Sequence, residues 1–300
     1  MSEAASATER QRIRMRAANL AMYSGTGRVG GYASDRYHAS RRELAVLAVT
    51  EAIDRRPLPG GPILEIGGNE SPLVGSMPDL CRRVLAADIS LLELRGCKGD
   101  PICLDADRPM PFADGTIAAV VVGELVEHLF DPSAFLREVY RVLGPDGLLV
   151  VTTPNLAGLQ DRLRFLLGRS PRQIDPLHDY LYLHIRPFTA ELLHRTIAQA
   201  GLIPSTLRSN FVGWQLGSGR WLMSRWLAKL LPTLGGSLIV AARKDDRGHQ
   251  TFKVHGLHRG GRPATRRRAQ CRDGTAPATR RGRHPRWEVE AVARARGDAR

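Results

Sequence analysis

The chain has 300 residues, of which 43% are hydrophobic and 25% charged, a balance typical of one globular domain with additions or of two small domains. Its formal net charge is +14, but residues 244–300 alone hold 16 Lys and Arg against 6 Asp and Glu, so the other 243 residues carry only +4. Four cysteines lack any CxxC or zinc-like spacing, which favours reduced thiols over a disulfide framework: Cys81, Cys97, Cys103 and Cys271. The N-terminus lacks a signal-peptide core, and no run of about 18 apolar residues occurs, so we predict a cytoplasmic protein without a transmembrane helix.

Residues 1–60 are predicted to form an N-terminal helical cap, with "ELAVLAVTEAIDRR" as its clearest amphipathic run. The segment "PLPGGP" breaks the chain before a first strand, "ILEIG". Further strands are predicted at "RRVLAADIS" (82–90), "AAVVVGELV" (118–126) and "LLVVTTPN" (148–155). The continuous apolar run of the third is typical of a strand that is buried on both faces.

Helices alternate with these strands. In "DPSAFLREVYRVLGPDG", Asp131 is a suitable N-cap, Pro132 suits the first turn, and Gly144 follows the last apolar residue. A further helix is predicted at "TAELLHRTIAQAGL" (189–202), and "GSLIVAARK" (236–244) is predicted as the last strand. This alternation indicates an α/β domain over residues 61–244, in which helices cover both faces of a Rossmann-like, doubly wound, mostly parallel sheet.

Three segments depart from this pattern. An irregular insert around residues 156–185 is predicted to cover the substrate. The tryptophan-rich run "GWQLGSGRWLMSRWLAKLLPTLG" is interpreted as an amphipathic helix packed on the sheet or over the pocket, with a lipid-facing surface, peripheral to a membrane, as the alternative. The basic C-terminal tail, residues 245–300, is predicted to be disordered, with weak binding to nucleic-acid phosphates as the alternative.

The turn after the first strand is both glycine-rich and acidic, and this restricts its ligand. A dinucleotide needs G-x-G-x-x-G beside its pyrophosphate, whereas here only Gly67 and Gly68 are glycine, and Asn69 follows them. Glu65 and Glu70 would repel phosphates. S-adenosylmethionine carries a positive sulfonium and a positive ammonium and has no phosphate, so nearby carboxylates favour it.

Two later carboxylates support this interpretation. Asp88 ends the second predicted strand, 23 residues after Glu65, where a carboxylate can accept both hydroxyls of a ribose. Asp105 and Asp107 follow in "CLDADRPMPFADG", and a carboxylate there could accept a hydrogen bond from the amino group of an adenine.

Residues 63–155 resemble the class I S-adenosylmethionine-dependent methyltransferases, in particular the broad group that acts on small molecules. The matching pieces come in the family's order: "LEIGGNES", "VLAADIS", "LDADRPMPF", "VVVGELVEHLFDPSAFLREVYRVLGPDGLLVVTTPN" and "HIRPFTAELLHRTIAQAGL". "GSLIVAARK" resembles the family's closing strand, which runs antiparallel to the others. The family usually has glycine where this chain has Asn69 and Ser71.

The resemblance implies a set of cofactor contacts along the strand ends. Glu65, Gly67 and Gly68 would line the methionine part of S-adenosylmethionine, Asp88 with Ile89 the ribose, and Asp105 with Ala106 the adenine. Glu124 and Leu125 would face the sulfonium, and Glu124 and Glu127 are equally well explained as charges at the start of a helix.

Two histidines are candidates for catalysis. His128 follows the third predicted strand, and His184 lies in the insert at a position where the family often has histidine. Either imidazole could serve as a general base because it titrates near neutral pH, and packing or hydrogen bonding is the alternative for both. No metal is implied.

The sequence therefore predicts an enzyme that transfers a methyl group to a small-molecule acceptor such as a sugar, a lipid-linked compound or a secondary metabolite. A second hypothesis is an RNA methyltransferase that uses the basic tail as an anchor, although "TTPN" (152–155) replaces the motif typical of base-directed enzymes. A non-catalytic cofactor-binding or scaffold protein and a nicotinamide-dependent oxidoreductase are further hypotheses. The sequence identifies neither the acceptor atom nor the oligomeric state.

Overall fold

A computed structural model of the chain describes residues 3–24, 36–67, 77, 82–90, 92, 94–95, 97–178, 181–215 and 221–245. Two helices, α1 (Glu3–Ser24) and α2 (Arg36–Arg55), precede the sheet. Four more helices follow within the described residues: α3 (Pro132–Val142), α4 (Leu159–Leu166), α5 (Ala190–Gln199) and α6 (Arg225–Leu230). The predictions for the C-terminal tail lie outside the described residues.

Seven strands form one sheet in the order β3-β2-β1-β4-β5-β9-β6. Their bounds are β1 (Ile63–Ile66), β2 (Val84–Asp88), β3 (Asp100–Cys103), β4 (Ile117–Gly123), β5 (Leu143–Pro154), β6 (Leu202–Arg208) and β9 (Ser237–Lys244). Strand β9 is antiparallel to β5 and β6, and the pairs among β1 to β5 are parallel. The predicted Rossmann-like sheet with an antiparallel last strand is thereby confirmed.

The sheet buries both of its faces. Alternate residues of the central strands, such as Leu64 and Val120, pack with α3 and α5 on one face. Their neighbours, such as Ile63 and Val121, pack with α2 on the other. Period-two alternation along each strand puts successive side chains on opposite faces, so strands buried on both faces need apolar residues at nearly every position.

Helix α3 begins as its sequence indicates. The side chain of Asp131 accepts a hydrogen bond from Ala134 N at 2.9 Å, and Pro132 occupies the first turn. Its buried residues, including Phe135 and Val139, lie against the sheet. Helix α5 begins in the same way, since the hydroxyl of Thr189 accepts from Leu192 N at 3.2 Å.

The structure extends one predicted strand and adds two strands that were not predicted. Strand β5 begins at Leu143 rather than at Leu148, directly after α3, and its pairing with β4 changes register between Ile117 and Ala119. Strands β3 and β6 were not predicted. The burial pattern of β6 is mixed because it is an edge strand, and Pro204 lies at the point where its pairing with β9 shifts.

The tryptophan-rich segment is not one amphipathic helix, and this part of the prediction was wrong. Its first half forms a two-stranded antiparallel hairpin, β7 (Val212–Gln215) with β8 (Trp221–Ser224), and only the short α6 and one 3-10 turn follow. Apolar residues with helical spacing can equally occupy a hairpin when packing against the rest of the fold favours it. Trp226 on α6 is 70% exposed. Among the described residues, no helix combines the length and the apolar character needed to cross a membrane.

Candidate functional site

The candidate site lies at the carboxyl ends of the central parallel strands, where the strand order reverses between β1 and β4. Ligands of open α/β sheets bind at such a switch point. Glu65 in β1 is 2% exposed, and Asp88 is the last residue of β2. One carboxylate oxygen of Asp88 accepts from Ser90 N at 2.9 Å, which holds the side chain at the strand end. Ile89 follows it and is partly buried.

The turn after β1 needs a glycine at its first position. Gly67 has a φ of +75°, and a Cβ atom there would lie 2.9 Å from the carbonyl oxygen of Gly123 at the end of β4. Its N–H donates to Ala87 O of β2 at 3.1 Å. The turn therefore lies close to both neighbouring strands. The rest of the predicted cofactor turn, including Gly68, Asn69 and Ser71, lies outside the described residues.

The two aspartates after β3 have different partners. Asp105 Oδ2 lies 3.0 Å from Arg16 Nε of α1 and 3.5 Å from Arg108 Nε, and its Oδ1 accepts from Asp107 N at 3.1 Å. The carboxylate of Asp107 accepts from Phe130 N at 3.0 Å, which joins this loop to the chain just before α3. Asp107 therefore stabilises the loop through backbone hydrogen bonds, whereas Asp105 forms ion pairs with Arg16 and Arg108. The neighbouring Ala106 is buried.

Glu124 directly follows β4 with a φ of +48°, an uncommon conformation for a residue other than glycine. Its N–H donates to Thr152 O at 3.1 Å, and its carboxylate Oε1 lies 3.7 Å from Arg41 Nε. Burial raises the pKa of Glu124, and the Arg41 charge opposes that rise. Leu125, the next residue, is partly buried against the core.

Arg41 on α2 is a site residue that the sequence analysis missed. Its guanidinium is buried and donates to Thr152 Oγ1 at 2.9 Å, at the carboxyl end of β5. In the sequence, Arg41 is one of two adjacent arginines in an amphipathic helix, a pattern typical of a solvated helix face. Only the packing of α2 against the sheet places this charge beside Glu124.

The structure brings the two candidate histidines together. The ring centroids of His128 and His184 are 4.9 Å apart, with an interplanar angle of 74°. His128 Nδ1 lies 3.1 Å from the carbonyl oxygen of Leu183, next to His184 in the insert. Glu127 is 1% exposed, and its Oε2 accepts from Thr153 Oγ1 at 3.0 Å.

Burial controls the protonation of both histidines. Burial and then the nearby His184 lower the pKa of His128 to about 3. Burial lowers the pKa of His184 to about 4, although a backbone hydrogen bond involving Gln173 opposes the shift. Both imidazoles are therefore neutral near pH 7 and are weak bases, and general-base catalysis by either one stays a prediction.

A cavity of about 470 Å³ opens beside Glu124 and His184. Its walls come from the start of α2, the end of β5, α4, the insert and the β7–β8 hairpin. The lining includes charged or polar side chains and two aromatic rings: Arg36, His38, Glu124, Gln160, Arg172, Gln173, His184, Tyr37 and Phe211. Tyr182 of the insert is 44% exposed, and Tyr180 lies outside the described residues.

A seven-stranded, mostly parallel sheet with acidic side chains at its switch point and an adjoining cavity is the architecture of an α/β domain that binds a ligand at the carboxyl ends of its strands. Comparison with known proteins makes this specific. A family model described as "Methyltransferase domain" matches residues 64–151. A probable S-adenosylmethionine-dependent methyltransferase of Mycolicibacterium smegmatis is 29% identical over 73% of this chain and 75% of that protein.

Two further similarities cover less sequence or lie at lower identity. A ubiquinone/menaquinone biosynthesis C-methyltransferase of Desulfotalea psychrophila is 36% identical over 33% of this chain and 44% of that protein. A solved structure of a Burkholderia thailandensis 1,6-didemethyltoxoflavin-N1-methyltransferase, with S-adenosylhomocysteine bound, has 14% identity and a TM-score of 0.49 over 78% of this chain and 91% of that one. The family model and the Mycolicibacterium relative together support a class I S-adenosylmethionine-dependent methyltransferase, with S-adenosylmethionine as the cofactor.

The buried guanidinium of Arg41 leads to a stability prediction. Arg41→Met retains much of the apolar stem but leaves the Glu124 carboxyl without its cation and removes one of the two donors to Thr152 Oγ1, the other being Glu124 N. We expect the free energy of unfolding to fall by about 3 kcal/mol, because removing one partner of a buried pair leaves the other uncompensated. Urea denaturation followed by circular dichroism measures it.

Arg55→Met is the matched control. Arg55 also lies on α2, but its side chain is 63% exposed and pairs with Glu51 one turn away. We expect a change within about 0.5 kcal/mol. Equal effects of the two substitutions would contradict the structural role of Arg41.

Proposed function

We propose that this methyltransferase acts on a small-molecule acceptor, such as a sugar, a lipid-linked compound or a secondary metabolite, that binds in the cavity beside Glu124. The observation that carries the proposal is the cavity itself. Its volume of about 470 Å³ lies in the range of small-molecule sites, and residues from several separate segments of the chain line it. A macromolecular acceptor would instead call for an open surface.

We also propose which residues hold the cofactor. Glu65 and Glu124 present negative charge to the cationic methionine end, with Gly67, Gly68 and Leu125 lining it. Asp88 with Ile89 binds the ribose. Asp105 and Ala106 flank the adenine. Each carboxylate oxygen can accept two hydrogen bonds, so Oδ1 of Asp105, which accepts only from Asp107 N within the described part of the chain, keeps acceptor capacity, whereas Oδ2 faces Arg16 and Arg108.

The residues present fit S-adenosylmethionine. Gly67 lies where any side chain would meet the backbone of β4, so the turn offers bare backbone to a ligand. Asp88 is fixed at the strand end by Ser90 N. When bound, the cofactor supplies a methyl group that is already activated by the positive sulfur. The protein then has mainly to orient the acceptor and exclude water.

Arg172 is the clearest candidate for orienting the acceptor. It lines the cavity, and the carboxylate of Asp161, which is 2% exposed, accepts from both Arg172 N at 3.0 Å and Arg172 Nε at 3.2 Å. A guanidinium held in this way is preorganised to donate to an oxygen of the acceptor. Gln160 lies beside it in the lining and can donate or accept.

The test uses the full chain with S-adenosylmethionine carrying an isotopically labelled methyl group. We expect label in the low-molecular-weight fraction of a cell extract, and then in members of a panel of hydroxylated compounds.

Arg172→Met should raise KM for such an acceptor at least about tenfold through the loss of a charged hydrogen bond, with cofactor affinity unchanged. Arg169→Met, at an exposed arginine of the same insert, is the control. Label found only in RNA or protein would contradict the proposal.

A further inference from the structure

Three side chains beside the cavity have the composition and spacing of a metal centre. Glu127, His128 and His184 are all buried, and each offers one ligand atom within 4.8 Å of those of the other two. Two residues come from the 3-10 turn after β4 and the third from the insert, 56 positions further along the chain. Two imidazoles and one carboxylate are a common ligand set for first-row divalent ions.

The backbone orients His128 as a metal-binding histidine is usually oriented. A carbonyl oxygen can only accept, so the 3.1 Å contact between Leu183 O and His128 Nδ1 places the ring proton on Nδ1. The lone pair is then on Nε2, the atom that lies 4.0 Å from Glu127 Oε1. An outer partner of this kind fixes the tautomer of a metal-binding imidazole.

A direct hydrogen bond does not explain the Glu127–His128 contact. The separation of 4.0 Å between His128 Nε2 and Glu127 Oε1 exceeds hydrogen-bond length. Thr153 holds Oε2, whereas Oε1 is buried and accepts no hydrogen bond from the part of the chain that the structure describes. Ligand atoms at about 2.1 Å from a tetrahedral ion lie roughly 3.4 Å apart, so an ion would draw this pair, and the third ligand atom within 4.8 Å of it, closer together.

The charges point the same way. The carboxyl of Glu127 is buried, and the nearby Glu124 side chain, which is 7% exposed, lies 3.7 Å from the guanidinium of Arg41. A divalent cation would offset the negative charge of a buried carboxylate, and the imidazoles of His128 and His184 would provide lone pairs.

We propose that Glu127, His128 and His184 bind one divalent transition-metal ion, of the class that includes Zn²⁺, Fe²⁺, Co²⁺ and Mn²⁺. His184 and Glu124 line the cavity, so the ion would have its remaining coordination positions on that side. An oxygen of the acceptor would occupy one of them. This last step rests on the proposed function, whereas metal binding does not. Three protein ligands with an open position are typical of metal sites that bind substrate.

The experiment is a Co²⁺ titration of the full-length protein after treatment with a chelator, followed by visible absorption. We expect about one ion per chain, with a d–d band that Zn²⁺ abolishes. Glu127→Gln keeps the shape of the side chain and the contact with Thr153, and His184→Gln changes a residue at the cavity wall. Loss of an outer partner alone costs 10–100-fold, so each substitution should weaken Co²⁺ binding by about 100-fold or more.

His194→Gln is the matched control, since His194 is a partly buried histidine of α5 that is not a member of the cluster. Its Co²⁺ affinity should equal that of the unsubstituted protein. Titration with S-adenosylmethionine is run on every variant, because retained cofactor binding demonstrates a folded site. Failure of the unsubstituted protein to bind Co²⁺, or equal Co²⁺ affinity in all variants, would overturn the proposal. Metal binding without methylation of any small-molecule acceptor would instead contradict the proposed function and leave the metal site supported.

Discussion

Replacing Asp88 by alanine is expected to weaken S-adenosylmethionine binding by about 100-fold or more. Asp88 ends β2 at the switch point, and its Oδ1 is already oriented by Ser90 N. In the proposed complex the carboxylate accepts both ribose hydroxyls. Each hydrogen bond to a charged group contributes about 1.5–3 kcal/mol, so the loss of two is sufficient for this effect. Calorimetric titration of the purified protein measures the dissociation constant directly.

Two variants sharpen this test. Asp88→Asn keeps the shape of the side chain and one acceptor oxygen. Its affinity for S-adenosylmethionine should therefore lie between that of the unsubstituted protein and that of Asp88→Ala. Asp114→Ala removes an aspartate whose side chain is 80% exposed and pairs only with Arg141 among the described ion pairs, so cofactor affinity should not change. An unaltered dissociation constant in Asp88→Ala would contradict the proposed ribose contact. No binding by the unsubstituted protein would contradict the proposed cofactor site as a whole.

Replacing Gly61 by alanine is expected to lower the free energy of unfolding by about 3 kcal/mol or more. Gly61 lies just before β1 with a φ of +115°, where residues with a side chain are strained by about 1–2 kcal/mol. A Cβ atom there would also overlap the carbonyl oxygen of Thr116, just before β4. Because that oxygen belongs to the backbone of the adjacent strand, relief would require the two strands to separate, and overpacking of this kind costs a further 1–3 kcal/mol or so.

The neighbouring glycine provides a control at almost the same point of the chain. An added Cβ at Gly60 would meet no atom within 4 Å, and its backbone is not in the left-handed region. Gly60→Ala should therefore change the free energy of unfolding by less than about 1 kcal/mol, with a small gain expected from reduced freedom of the unfolded chain. Urea denaturation of both variants makes the comparison. Similar losses at the two positions would exclude the steric explanation.

Local sequence determined most of the fold. The largely apolar runs "ILEI", "VLAA" and "AAVVV" predict strands buried on both faces, because strands covered by helices need apolar side chains at nearly every position. Asp131 and Pro132 predict the start of α3 because capping depends on residues only a few positions apart. Order and type of these elements were enough to indicate the Rossmann-like sheet, and the motifs in that order indicated the methyltransferase family.

Segments whose structure depends on partners elsewhere in the chain were less predictable. The tryptophan-rich run has apolar spacing compatible with a helix, yet Val212–Gln215 and Trp221–Ser224 pair as a hairpin. Strand β6 is recognisable only by its pairing with β9, since an edge strand need not be uniformly apolar. The hairpin and strand β6 both form because of pairing between segments that are separated along the chain. Local propensity carries no information about that pairing.

The candidate site divides in the same way. Sequence alone placed Glu65, Gly67 and Asp88 at the ends of strands, because in a parallel sheet the carboxyl end of every strand lies on one side. Only the tertiary structure placed Arg41 of α2 beside Glu124, and only it joined His184 of the insert to Glu127 and His128. Burial of a charge and convergence of side chains 56 positions apart are properties of packing, and packing depends on contacts between residues that are far apart in the chain.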